Sequence, residues 1–190
     1  MSAFDDLTIR DAQREVRRVY RGGFVGQVVS GVLWLAAAAL ATWVGFLQGE
    51  ITLVVGGMFI FPLTTLVLRL LGGPASMAPA HPFNFLAMQT AFIVPLLLPV
   101  VIVLAMHDHA WFFPSVLLVV GAHYLPFATL YGMKEFLFLG AAMMAGGVWL
   151  GFSGAPSVAG GWLGAALLFG FVPFGWRVAV NEERREARKE

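Results

Sequence analysis

Long apolar runs separated by short polar breaks dominate this sequence. A helix needs roughly 20 apolar residues to cross the hydrocarbon core of a bilayer, and six runs near that length are present. They cover residues 24–47, 51–71, 83–106, 110–131, 135–152 and 157–180. This pattern predicts an all-α fold, an integral membrane bundle of six transmembrane helices joined by short turns.

All 12 lysines and arginines fall on one side of that predicted bundle. Five arginines precede the first run, five cations close the last, and Arg69 and Lys134 flank the second and fourth breaks. Because cytoplasmic loops carry the excess of positive charge, the sequence predicts that both termini are cytoplasmic. Four tryptophans near the opposite helix ends are typical of an interfacial belt: Trp43, Trp111, Trp149 and Trp162.

The segment before the first run, residues 1–23, has a pattern of its own. Its apolar residues recur at helical spacing and are Ile9, Ala12, Val16 and Val19. Its candidate capping residues are Asp5, Asp6 and Thr8. With arginines on the other faces, this predicts an amphipathic helix lying on the inner leaflet, or alternatively a solvated topology anchor. Residues 24–180 form the predicted transmembrane domain, and residues 181–190 form a charged cytoplasmic tail.

The composition fits this class of protein. Of 190 residues, 59% are hydrophobic and 12% are charged, whereas a soluble domain has roughly 45–50% apolar and roughly 25% charged residues. The absence of cysteine excludes disulfides and thiolate metal sites. A formal net charge of +1 gives no reason to expect a nucleic-acid partner, so the lipid bilayer is the partner that the sequence indicates.

Two further patterns concern the packing of the helices. The second and fourth runs share one spacing, with Gly57, Pro62, Thr65 and Leu66 matching Gly121, Pro126, Thr129 and Leu130. This predicts helical-hairpin repeats, with chance as the alternative. Small residues one turn apart indicate close packing within the bundle or, alternatively, a homo-oligomer through helices 5 and 6. These pairs are Ala142 with Gly146, Gly147 with Gly151, and Gly160 with Gly164.

Polar side chains within the apolar runs are the candidate functional residues, because an unpaired polar group at membrane depth costs energy. His123 is the central candidate, since it lies midway along the fourth run and can change protonation near neutral pH. We expect a cytoplasm-facing polar pocket for a small solute or proton, lined by His123, Tyr124, Gln89, Arg69, Asn84 and Thr65. The alternatives are a His123 that bonds a neighbouring helix as a packing contact and an Arg69 that reaches the headgroups.

The sequence predicts no enzyme, no metal site and no cofactor. Gly151-Phe152-Ser153-Gly154 matches the short serine motif of the rhomboid proteases, but no histidine follows Ser153 to act as its base. His107-Asp108-His109 has metal-compatible ligand types, and Glu50 can approach from another turn. A metal needs three or four converging ligands, and the sequence offers no complete set.

One stretch carries a family resemblance. Gly121-Ala122-His123-Tyr124-Leu125-Pro126-Phe127 and Tyr131-Gly132-Met133-Lys134, together with Phe61-Pro62, resemble an uncharacterised family of small bacterial multi-pass membrane proteins, classed as a domain of unknown function. The resemblance implies a protein of the bacterial inner (cytoplasmic) membrane. It implies no activity, ligand or site residue.

Two classes of function follow from these features. The leading hypothesis is a small transporter or channel-like protein that binds a small solute or proton in the predicted pocket. The alternative is a non-transporting membrane component, such as a sensor, an assembly factor or a complex subunit, whose polar groups are packing contacts. A hydrated pocket lined by His123 and Gln89 favours transport, and a bond from His123 to a neighbouring helix favours the component.

Overall fold

The computed structural model describes residues 8–186 and residue 188. Within that part the fold is all-helical, without strands. The α-helices are α1 (Ile9–Val19), α2 (Phe24–Trp43), α3 (Phe46–Gly57), α4 (Ile60–Leu70), α5 (Asn84–His107), α6 (Phe112–Tyr131), α7 (Glu135–Ser153) and α8 (Ala159–Glu186). Short 3₁₀ segments precede α2 and α6, at Arg21–Gly23 and His109–Trp111.

The lengths and apolar character of these helices are those of a membrane protein. The helices α2, α5, α6, α7 and α8 are each long and apolar enough to cross a bilayer, and α3 with α4 pass the same test as a pair bent by 57°. The described residues therefore contain five candidate spans, or six if the bent pair is one span. The prediction of an all-α chain with several membrane-length helices is confirmed.

The second apolar run does not form the single helix predicted over residues 51–71. α3 begins earlier, at Phe46, and the helix breaks at Met58 and Phe59 before α4 starts. Pro62 explains the position of the break, because it lacks an N–H and its ring clashes with the carbonyl of Met58, four residues earlier. In the structure Pro62 lies in the first turn of α4, where proline is tolerated.

The same shift corrects the turn that was predicted around Glu50. Residues 48–50 lie inside α3, and Glu50 is only 7% exposed. α3 also packs very closely on α2, since a Cβ atom at Gly49 would lie 2.6 Å from the carbonyl oxygen of Ala37. The polar break in the sequence is therefore part of a tight helix crossing, where glycine is needed for the approach of the two backbones.

α1 is the amphipathic helix expected from the sequence, but protein covers its apolar face. Ala12, Val16 and Val19 are at most 2% exposed, and the two valines belong to the main hydrophobic core. Only Ile9, at 69% exposed, keeps an open apolar side chain on this helix. The expectation that the apolar face lies on the inner leaflet is thus corrected, because the bundle itself buries that face.

The two ends of the chain differ in part from their predicted form. The Thr8 hydroxyl caps α1, accepting a hydrogen bond from the backbone N–H of Asp11 at 3.3 Å. At the other end α8 continues through much of the predicted tail, and Glu182 is 7% exposed rather than solvated. Residues 1–7, which include the candidate caps Asp5 and Asp6, and residues 187, 189 and 190 of the predicted tail lie outside the described part of the chain.

Glycines at the helix crossings are used inside the bundle. A Cβ atom at Gly140 of α7 would lie 2.6 Å from the carbonyl oxygen of Gly121 in α6, and Gly147 meets the backbone of α6 at the same distance. A Cβ atom at Gly164 of α8 would overlap the indole ring of Trp34 in α2. These small residues therefore serve packing within one chain. Self-association through helices 5 and 6 stays a prediction.

The predicted hairpin repeat has no counterpart in the backbone. Gly57 ends α3 at the bend, whereas Gly121 lies within the continuous helix α6. Pro62 lies in the first turn of α4, whereas Pro126 lies in the interior of α6. The glycines and prolines that share one spacing in the sequence therefore occupy different positions in their helices.

Replacing Gly164 by alanine tests the packing of α8 on α2. We expect Gly164→Ala to lower the thermal unfolding temperature of the protein in detergent, because the new methyl group overlaps the Trp34 ring, which is 2% exposed. Overpacking of this kind costs about 1–3 kcal/mol. The matched control is Gly170→Ala on the same helix, where nothing lies within 4 Å of the Cβ position. Equal unfolding temperatures for the two variants would contradict this packing.

Candidate functional site

His123, the central residue of the predicted pocket, joins α6 to α5. Its Nδ1 atom lies 2.7 Å from the backbone carbonyl oxygen of Thr90, and Nδ1 carries the proton in this contact because a carbonyl oxygen only accepts. The Thr90 hydroxyl donates to the carbonyl oxygen of Leu86 at 2.7 Å, and Thr90 is 1% exposed. The Nδ1 proton of His123 is therefore used in a contact between neighbouring helices.

Tyr124, the next residue, joins α6 to α2. Its hydroxyl donates to Oε1 of Gln27 at 2.9 Å, and Ser30, one turn further along α2, is a second hydrogen-bonding neighbour of that hydroxyl. All three side chains are buried. Gln27 and Ser30 are three positions apart in an apolar run, which places both on one polar face of α2.

The consecutive residues His123 and Tyr124 tie α6 to two different neighbours. Successive side chains on an α-helix point about 100° apart, so one meets Thr90 on α5 and the other meets Gln27 on α2. Aromatic rings fill the space around them, with the ring centroids of His123 and Phe127 4.9 Å apart. The site is a pair of interhelical contacts on adjacent faces of one helix.

The other predicted residues are not joined to His123 by hydrogen bonds within the described residues. Gln89 and Arg69 are exposed, and Thr65 is half-buried on α4. The side-chain amide of Asn84 donates to two carbonyl oxygens of the loop before α5, at 2.7 and 2.8 Å. The structure therefore brings only part of the predicted set into the interhelical contacts.

Thr64 differs from Thr42 and Thr90, two other threonines within the helices. Its hydroxyl oxygen is buried and has no hydrogen-bond partner. Thr90 and Thr42 instead donate to the carbonyl four residues earlier in their own helices. The Thr64 oxygen lies towards α2, 3.9 Å from the Cβ position of Gly26. A buried hydroxyl without a partner is a candidate contact for water or a small polar solute.

α1 covers the end of the bundle at which the predicted pocket was expected to open. Nε2 of Gln13 donates to the carbonyl oxygen of Thr129 at 2.8 Å, and Nη1 of Arg17 donates to that of Tyr131 at 2.6 Å. The carbonyl groups in the last turn of a helix lack intrahelical partners and carry partial negative charge, which a cation stabilises. α1 therefore caps the C-terminal end of α6.

Ion pairs join α1 and the 3₁₀ segment after it to α8, and a hydrogen bond joins that segment to the end of α4. Nε of Arg17 lies 3.0 Å from Oε1 of Glu182, and Nη1 of Arg21 lies 3.3 Å from Oε1 of Glu183. Nη2 of Arg21 donates to the carbonyl oxygen of Leu71, just after α4, at 3.0 Å. α1 and the 3₁₀ segment after it thus contact the ends of three other helices, α4, α6 and α8.

Tyr20 completes this closed end. Its ring packs against Tyr131, with the ring centroids 6.4 Å apart. Burial raises the pKa of the Tyr20 hydroxyl above its ordinary value, and a hydrogen bond with the backbone of Met77 opposes that rise. The hydroxyl is therefore neutral at physiological pH and packs as an uncharged group.

At the opposite end, Nδ1 of His109 lies 2.9 and 3.1 Å from the two carboxylate oxygens of Glu50. Glu50 therefore approaches the turn His107-Asp108-His109, as its position in the sequence permits. No three His, Cys, Asp or Glu residues among those described are grouped so that they could hold a metal ion. The Ser153 hydroxyl oxygen accepts a hydrogen bond from the backbone N–H of Ala155 at 3.2 Å, and no histidine bonds to it within the described residues.

We compared the chain with curated proteins, solved structures and protein families. No curated protein and no solved structure matches the chain. Residues 9–176 match the family DUF7010, which is described as a family of unknown function. The resemblance to an uncharacterised family is thereby confirmed. The match spans all the membrane-length helices up to the last turns of α8, and the chain belongs to the DUF7010 family.

Proposed function

We propose that this protein is a non-catalytic, non-transporting component of the bacterial inner membrane, an assembly factor or complex subunit whose buried polar groups join its helices. The observation that carries the proposal is the contact between Nδ1 of His123 and the carbonyl oxygen of Thr90. This contact ties the Nδ1 atom of His123 to the backbone of a neighbouring helix, as expected for a packing contact, and leaves Nε2 as the second ring nitrogen. The contact of Tyr124 with Gln27 supports the same conclusion.

The energetics of the membrane interior explain why such contacts serve packing. Polar groups without partners in hydrocarbon cost several kcal/mol, while each interhelical hydrogen bond contributes about 0.6 kcal/mol on average. Pairing His123 and Tyr124 with neighbouring helices avoids the larger cost and selects one arrangement of α2, α5 and α6. The exposed side chains of Gln89 and Arg69 then have no part in a shared site.

Replacing His123 by phenylalanine tests the packing role. His123→Phe keeps a ring but removes the Nδ1 donor, so the Thr90 carbonyl loses this partner. We expect destabilisation of about 0.6 kcal/mol, and at most about 1.7 kcal/mol, measured as a lower unfolding temperature in detergent. Gln89→Ala, on the exposed face of α5, should leave that temperature unchanged. A His123→Phe variant as stable as the parent protein would speak against the proposed role.

The proposal includes a topology with both termini in the cytoplasm, since the described cations lie at the end of the bundle that α1 covers or in the turns on that side. The chain has no cysteine, so single cysteines can report it without a background signal. We expect His107→Cys to react in spheroplasts with a membrane-impermeant maleimide, because residue 107 is the exposed last residue of α5, at the opposite end of the bundle. Lys134→Cys should react only after permeabilisation. The reverse labelling pattern would overturn this orientation.

A second candidate function, a small transporter or channel-like protein for a small solute or proton, is favoured by one observation. The unpaired Thr64 hydroxyl lies on α4, directly after the 57° bend. Broken helices and unpaired polar groups at membrane depth occur in the binding sites of transporters. This candidate requires water or solute to reach Thr64 from one side of the membrane.

Thiol accessibility separates the two candidates. We expect Thr64→Cys to stay unreactive towards a small charged methanethiosulfonate in native membranes, as should Ala37→Cys, whose side chain on α2 is fully buried. Rapid modification of Thr64→Cys, with Ala37→Cys still protected, would show an aqueous path and favour the transporter. Both variants must first unfold at the temperature of the parent protein, so that reactivity reports access rather than misfolding.

A further inference from the structure

A groove of about 200 Å³ lies where α1, the loop after α4 and the end of α8 meet. Its charged lining residues come from α1 and the turn after it, and from α8: Arg17, Arg18, Arg21, Glu182 and Glu183. The loop residues 72–74 close a third side. A larger depression of about 590 Å³ adjoins it, and the two share Arg18 and Glu182 as lining residues.

The charges of the groove suit a ligand with one negative charge. Three arginines and two glutamates line it, so the formal charges of its described lining residues sum to +1. The two glutamates are already engaged, Glu182 by Arg17 and Glu183 by Arg21. Each guanidinium has five N–H donors, so Arg17 and Arg21 retain donors beyond these ion pairs and their bonds to the carbonyl oxygens of Tyr131 and Leu71. Arginine binds phosphate oxygens through such paired donors.

The surroundings of the groove distinguish a lipid from a small soluble anion. Leu70 and Leu71 directly precede its loop and are 78% and 46% exposed, which makes an open apolar surface beside the charges. On α8, Trp176 is 56% exposed one turn before the groove. Exposed aromatic and aliphatic side chains next to arginines are typical of the boundary between headgroups and hydrocarbon.

We propose that this groove binds the phosphodiester of an anionic phospholipid headgroup, with the acyl chains of that lipid on the apolar surface beside Leu70. Basic pockets beside membrane helices are known to take anionic headgroups in this way. The bound lipid contacts α1, α8 and the loop after α4. Arg17 and Arg21 already connect these same elements, through Glu182 and the carbonyl of Leu71.

The test measures lipid binding by the full-length protein in a neutral detergent. Phosphatidylglycerol is titrated while the unfolding temperature is recorded, and retention of the lipid is followed by native mass spectrometry. We expect phosphatidylglycerol to raise the unfolding temperature and phosphatidylcholine to have a much smaller effect. Arg18→Gln should weaken the apparent affinity roughly fivefold, the loss expected for one cation near a lipid surface. Arg177→Gln, an exposed cation of α8 outside the groove, should bind like the parent protein.

A second variant gives the opposite sign and does not depend on removing an arginine. Glu183→Gln takes away the carboxylate that pairs with Arg21, so we expect tighter binding of phosphatidylglycerol. Equal affinity for phosphatidylglycerol in the parent, Arg18→Gln and Glu183→Gln proteins would overturn the site. An equal shift with phosphatidylcholine would overturn the charge selectivity, and an equal shift with inorganic phosphate would overturn the assignment to a lipid.

Discussion

Hydrogen bonds from α6 to its two neighbours are the interactions on which the arrangement of this bundle depends. Inside an apolar bundle there is no water to replace a missing partner, so a polar side chain is stabilised by a partner in its own helix or on another helix. His123 and Tyr124 do this on adjacent faces of α6, towards α5 and α2. The contact between His123 and Thr90 matters most for α5, because only 17% of the membrane-spanning stretch of this helix is buried inside the protein. A helix with so little packing needs specific contacts to hold its place.

The ends of the helices are organised by the same requirement. The last carbonyl groups of α6 and the carbonyl just after α4 have no partner within their own helices. α1 supplies these partners through Gln13 and Arg17, and the 3₁₀ segment after it supplies one through Arg21. Its apolar face is buried by the bundle, and its Arg18 lines the groove together with residues of α8 and of the loop after α4. The charged groove is thus a product of the way in which α1 closes the bundle.

Some features of the site were accessible to sequence reasoning, and others were not. His123 was identified because an ionisable residue at membrane depth is rare. The face to which each polar residue points was not, since the hydrophobic pattern of a membrane helix is nearly uniform around its axis and gives little directional information. Gln89 and Thr90 are adjacent, yet one is exposed and the other is 1% exposed. Only the packing of α5 on α6 decides between them.

The sequence by itself determined the all-helical membrane class, the approximate bounds of most helices, the segregation of cations and the amphipathic character of α1. These follow from the length of apolar runs and from the positions of charge, which are local properties of the chain. The tertiary structure alone decided that Glu50 is buried beside His109 and that protein covers the apolar face of α1. The physical reason is that burial and hydrogen bonding depend on neighbours distant in sequence, and an apolar run does not specify its neighbours.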